Sequence, residues 1–218
     1  MRNLALMWVV AGGAVALLAA DDGKPSVSTF TDKRDGKVYR IVEIGSQTWF
    51  AENLNYAAEG SRCYNNSPDS CAKYGRLYDW RTSLTACPAG THLSTDDEWT
   101  TLVDYVGGVG TAGKKLKSKA GWNKNGYGTD DYGFSALPGG YDNGTGSFDV
   151  ADSIGYWWSA TEGNTSIAYW WGATEGNASN AWGRYMHYNG ENVGKYNIGK
   201  TYLFYVRCVA DDEKEKKK

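Results

Sequence analysis

Apolar and polar positions set out the clearest element between Thr95 and Gly108. Trp99, Leu102, Val103 and Val106 fall at i, i+3, i+4 and i+7, one apolar stripe of an amphipathic helix. Thr95 stands where an N-cap belongs, Glu98 completes a capping box, and Gly107-Gly108 ends the run. A shorter helix is predicted near Asp79 to Thr85, stopped by Pro88-Ala89-Gly90, and a basic helix or turn from Ala112 to Lys119.

Period-two patterning marks the strands. In Lys37–Ile44, Val38, Val42 and Ile44 share one face while Tyr39 and Ile41 share the other, as in a strand covered on both sides. Asp35-Gly36 turns into it from Phe30–Asp32, and Gly45-Ser46 turns it into Gln47–Phe50, a hairpin. Beyond Gly121 the chain becomes rich in glycine turns, with strands predicted near residues 155–161, 168–174, 181–188 and 202–209. The whole reads as α+β: two short helices in the first half and an antiparallel sheet in the second.

Within that second half the chain almost repeats itself. Tyr156-Trp-Trp-Ser-Ala-Thr-Glu-Gly-Asn164 returns as Tyr169-Trp-Trp-Gly-Ala-Thr-Glu-Gly-Asn177, an offset too short for the usual solenoid or propeller repeats. The first copy, with Trp157 and Trp158, reads as core filling. A sheet has a limited inner face, so the duplicated Tyr169-Trp170-Trp171 is expected to leave aromatic surface exposed. Downstream, Trp182, Arg184, Tyr185, Tyr188, Asn189, Asn192, Tyr196 and Asn197 mix rigid aromatics with polar groups, the chemistry of adaptable recognition surfaces. With Tyr169 and Trp171 they form the candidate ligand-binding set.

The first 20 residues read as an export signal: Arg2, an apolar run from Leu4 to Leu18, then Leu18-Ala19-Ala20 before a polar Asp21-Asp22-Gly23. The run falls short of the roughly 20 residues of a bilayer span. Leu17–Ala20 also looks like a bacterial lipobox, but Asp21 stands where a lipidated cysteine would be. Residues 21–29 then read as a linker, 30–210 as one domain and 211–218 as a charged, solvated tail. A formal charge of −2 gives no pull toward nucleic acid.

Export turns the four cysteines into disulfide candidates rather than metal ligands. Of three connectivities the preferred one is Cys63–Cys71, closing a small polar loop, with Cys87–Cys208, tying the start of the core to its last strand. The longer loop is worth about 5 kcal/mol in the chain-entropy model.

Candidate chemistry is thin. Asp96-Asp97 sit in a helix's first turn, Asp130-Asp131 in a glycine loop, and neither His92 nor His187 has a nucleophile beside it; all read as structural. Asp142-Asn-Gly-Thr-Gly-Ser-Phe-Asp149 offers oxygens of the kind calcium takes, without EF-hand spacing. No metal site or cofactor is expected, with calcium the one alternative.

Several stretches resemble a known family, the Fibrobacter succinogenes major paralogous domain: Asp35–Tyr39, Ile44–Trp49, Ala51–Tyr56, Tyr74–Tyr78, Cys87–Leu93, Glu98-Trp99, Gly133–Pro138, Tyr156–Glu162 and Val206–Cys208. The resemblance implies a cell-surface or secreted bacterial protein, often a lipoprotein, and a fold like C-type lectin and formylglycine-generating-enzyme modules. Relatives of that fold diversify their ligand sites in the C-terminal region, where the duplication lies. Lectin-type calcium sites use Glu-Pro-Asn; Glu162-Gly-Asn164 and Glu175-Gly-Asn177 lack the proline, so calcium-dependent sugar binding is not carried over. The expected function is a non-enzymatic binding module for polysaccharide or a cell-surface protein. The alternatives are an envelope component and an oxidase-like enzyme built on a reactive cysteine pair.

Overall fold

The computed structural model describes residues 27–163 and 179–211. Its first layer is a five-stranded antiparallel sheet with strand order β1-β2-β3-β10-β4. β1 (Val27–Thr31) and β2 (Val38–Ile44) form a hairpin, and β3 (Gln47–Phe50) returns along β2. β4 (Thr91–Leu93) is reached after two helices, α1 (Pro68–Tyr74) and α2 (Trp80–Ala86). β10 (Cys208–Ala210) arrives from the far end of the chain and fits between β3 and β4. The sheet thus joins both halves of the sequence, with the expected hairpin of β2 and β3 in the first half paired to β10 from the second. β1 also begins inside the stretch expected to be linker.

α3 (Asp96–Tyr105) carries the predicted capping box, with Thr95 and Glu98 bonding reciprocally. Its stripe of Trp99, Leu102 and Val103 is fully buried, as is Val106 just beyond it. α4 (Val109–Leu116) starts three residues before the expected Ala112. α1 has no counterpart among the sequence expectations, and the described residues hold four α-helices, where two short helices and a basic helix or turn are expected. Pro68 opens α1, where the missing N–H costs nothing.

After a two-residue ribbon, β5 (Tyr141–Asp142) with β6 (Phe148–Asp149), comes a second antiparallel sheet of β7 (Ile154–Glu162), β8 (Asn180–His187) and β9 (Gly194–Gly199). β9 was not foreseen: its glycines and asparagine give little strand propensity, and pairing with β8 holds it. The expected strand at 202–209 is mostly a run of single bridges, Leu203 to Asp142, Phe204 to Tyr78 and Tyr205 to Trp157, that becomes a strand at Cys208. The strand expected at 168–174 lies outside the described residues.

Cross-strand partners share a face, and each face of this sheet contributes residues to a core. Trp157 and Met186 join the core that holds Trp49, Trp99, Leu102 and Phe134. Trp158 and Ala181 join a second core with Phe50, Tyr78, Trp80 and Phe204. Disulfides Cys63–Cys71 and Cys87–Cys208 are both present, in the preferred connectivity. Among the described residues no helix is long and apolar enough to cross a membrane.

Candidate functional site

Strand register decides which aromatics can work together. Tyr156, Tyr185 and Gly194 stand side by side on β7, β8 and β9, and Tyr196 follows one pair along on the same face. Tyr141 comes from β5 and Tyr202 from the run leading to β10. The rings meet at centroid distances of 5.4 Å (Tyr141–Tyr156), 5.8 Å (Tyr141–Tyr202), 6.0 Å (Tyr156–Tyr185) and 5.9 Å (Tyr185–Tyr196). Buried Phe204 is the floor, stacked 5.0 Å from Tyr156. Gly194 is required here, since a Cβ would stand 2.1 Å from Cζ of Tyr185.

All five tyrosines are half-buried, each with one part packed and another facing water. Burial, with smaller contributions from Tyr141 and Tyr185, pushes the Tyr156 phenol up to about 12. Burial raises Tyr141 and Tyr196 as well. These three phenols therefore stay neutral at ordinary pH, able to donate and accept. Among the described residues none of the five hydroxyls has a hydrogen-bond partner. The cluster is an aromatic surface rimmed by those hydroxyls.

The structure divides the candidate binding set. Tyr185 and Tyr196 belong to the cluster. Trp182 and Arg184 point to the opposite face, toward α3. Arg184 is 4% exposed and bonds the Asp96 carboxylate at 2.6 Å and Thr100 Oγ1 at 2.9 Å. An expectation that Arg184 meets a ligand fails on that burial: its charge is committed to Asp96, which also takes Lys195 at 2.6 Å. Trp182 lies under the Lys195 ammonium, 4.0 Å from ring centroid to Nζ, and Asn197 is its register partner on β9. Tyr188, Asn189 and Asn192 lie in the β8–β9 connection, with Asn189 exposed and Tyr188 against His187. Tyr169 and Trp171 lie outside the described residues. Tyr141, Tyr156 and Tyr202, which complete the cluster, are not in the candidate set. Tyr156 had been assigned to scaffold with its tryptophan neighbours, although alternation puts it on the face opposite Trp157.

Other clusters are committed to structure. In the Asp142–Asp149 loop, Asp142 Oδ1 accepts from the N–H groups of Gly144 and Gly146, and Oδ2 from Arg62 at 2.7 Å. Asn143 Oδ1 accepts from Thr145 and Ser147. The oxygens that suggested calcium are thus engaged by donors. Asp130 caps Ser135. A cavity of about 400 Å³ beside α1 is ringed by cations that already have acids: Lys37 with Asp35, Arg40 with Glu52, Lys73 with Asp152.

Among the described residues Arg207 is a wholly buried charged group. It donates to Asn53 Oδ1 (2.7 Å) and to the carbonyls of Phe50 (2.9 Å), Phe134 (2.7 Å) and Ser135 (3.1 Å), and burial pulls its pKa down to about 9. Asn53 also accepts from Trp157 Nε1 and donates to the Tyr74 carbonyl. Asn53 and Arg207 thereby tie α1, β3, β7 and the C-terminal run into one network that spans most of the chain. Residues 42–210 match the family model of the Fibrobacter succinogenes major domain. The chain belongs to that family. No curated protein and no solved structure matches it. The matched span of this Fibrobacter succinogenes major domain contains the tyrosine cluster, both disulfides and the Asn53–Arg207 network, and leaves β1 outside.

Proposed function

We propose that this chain is an exported, non-enzymatic binding module of C-type-lectin-like fold that recognises polysaccharide through the tyrosine face of the β7-β8-β9 sheet. The observation that carries the reading is the half-exposed cluster of Tyr141, Tyr156, Tyr185, Tyr196 and Tyr202 over Phe204. Pyranose rings present apolar C–H faces that pack on aromatic rings, and their hydroxyls match unpaired phenol groups. Tyrosine gives this contact at low entropic cost, having two side-chain torsions to fix. Two disulfides favour an oxidising, exported setting. All four cysteines are bonded, leaving no free thiol for oxidase-like chemistry.

Retention on insoluble glycans tests the reading. Tyr185→Ala and Tyr202→Ala should each weaken binding about tenfold or more, the size of a hot-spot contact. Trp182→Ala, on the opposite face, should leave it unchanged. Equal retention of wild type and both tyrosine variants would count against the proposal.

A second reading, an envelope component that binds protein, draws support from β1: among the described residues it has a neighbour on its β2 side alone, and Val27 on it is exposed. Discrete oligomers at low concentration, without glycan retention, would favour it.

A further inference from the structure

The run of chain that carries Tyr202 also helps to line a cleft of about 850 Å³, formed by Arg62, Trp80, Arg81, Glu162, Lys200 and Thr201 among others. A second hollow of about 460 Å³ shares Gly60, Asp79 and Arg81 with it and continues to Thr85. Cluster and cleft are built on the same run of chain: Lys200, Thr201 and Leu203 line the cleft, while Tyr202 and Phe204 belong to the cluster. The run Lys200–Phe204 thus contributes side chains to both the cleft and the cluster.

The charged groups of this cleft fall into two kinds. Both acids are occupied. Asp79 Oδ1 caps α2 by accepting from Thr82 N–H, and Glu162 holds the Lys200 ammonium at 2.7 Å, which itself lies 4.1 Å over the Trp80 ring. The two guanidinium groups are not fully used. Arg62 spends Nη1 on Asp142, a carboxylate with no exposed surface whose other oxygen is fixed by two loop N–H groups. That anchor holds the Arg62 head in place, while its Nε and Nη2 have no partner among the described residues. Arg81, exposed on the first turn of α2, has no ion pair or side-chain hydrogen bond among the described residues. A planar guanidinium with spare donors takes a carboxylate in a paired, two-bond geometry that an ammonium cannot reproduce.

We infer that the Arg62–Arg81 cleft binds the carboxylate groups of an acidic polysaccharide, a polyuronate, whose neighbouring sugar rings lie on the tyrosine face. This inference rests on the polysaccharide reading above and adds the ligand's charge class.

Affinity electrophoresis of the whole chain in gels containing polygalacturonate or a neutral β-glucan tests it. Wild type should be retarded by both, more strongly by polygalacturonate at low salt, with the difference shrinking as salt is added. Arg62→Gln and Arg81→Gln should each weaken polygalacturonate binding about tenfold, the scale of a charge-assisted hydrogen bond, and leave β-glucan binding as it was. Arg81→Lys should recover part of the loss. Lys119→Gln, which removes an exposed charge away from the cleft, should change nothing. Arg81 is exposed and has no ion pair or side-chain hydrogen bond among the described residues, so its variant reports on binding even if Arg62→Gln lowers stability. Wild-type binding of polygalacturonate by both arginine variants, or an equal loss in Lys119→Gln, would overturn the inference. β-Glucan binding without preference for the acidic polymer overturns this inference alone; no retardation in either gel overturns it and the reading beneath it.

Discussion

His92 stands between two carboxylates, with Nε2 2.7 Å from Glu98 Oε1 and Nδ1 2.8 Å from Asp211 Oδ1. The Glu98 bond raises its pKa, burial opposes, and Asp211 adds to the rise, bringing it from 6.5 to about 9. A raised histidine contributes stability that is complete below 6.5 and lost as pH climbs through about 9. The unfolding free energy should therefore fall between those limits by an amount on the order of 1 kcal/mol once solvent screening is included, read as a lowered melting temperature. His92→Gln should flatten that slope; an unchanged slope in the variant would refute the assignment. In sequence His92 reads as packing before a capped helix, because Asp211 lies 119 residues away and no local pattern reports it. Arg184 was misplaced for a related reason. The alternation Trp182-Gly-Arg-Tyr-Met-His separates two faces, but each face of this sheet buries part of its residues in a core, so alternation alone cannot say which one meets solvent.

At the scale of elements, α3 was the most legible, since cap, stripe and glycine stop all agree locally. α1 and β9 were not. α1 has seven residues, too few for a periodic stripe, and β9 is held by its partner rather than by its own residues. The two disulfides make separable demands on these elements. Cys63–Cys71 closes an eight-residue separation beside α1, and Cys87–Cys208 closes 121 residues from the end of α2 to β10. In the chain-entropy model they are worth about 2.5 and about 5 kcal/mol. Replacing Cys87 and Cys208 by alanine should lower stability in denaturant by roughly twice as much as replacing Cys63 and Cys71. Equal losses would mean that the β10 insertion between β3 and β4 holds without its tie.

Across the whole molecule, the C-terminal run from Lys200 to Ala210 joins every part. It lines the cleft, floors the tyrosine cluster with Phe204, places Arg207 in the core and ends as the strand between β3 and β4. The α+β class, the disulfide pairing and the scaffold role of Trp157 and Trp158 were readable from residues, because each depends on composition or on one strand's burial. The proposed site shares two residues with the set expected from sequence. Tyr185 and Tyr196 stood in the aromatic stretch, whereas Tyr141 and Tyr202 enter through tertiary bridges such as Leu203 to Asp142. The central claim is that these five tyrosines form the ligand face. Its most direct measurement is a titration of the isotopically labelled protein with a soluble glucan oligosaccharide, following the tyrosine ring resonances. Shifts concentrated on Tyr141, Tyr156, Tyr185, Tyr196 and Tyr202, with Tyr39 and Tyr78 unmoved, are the predicted result. Shifts centred on other residues, or none with any glycan that the protein retains, would contradict it.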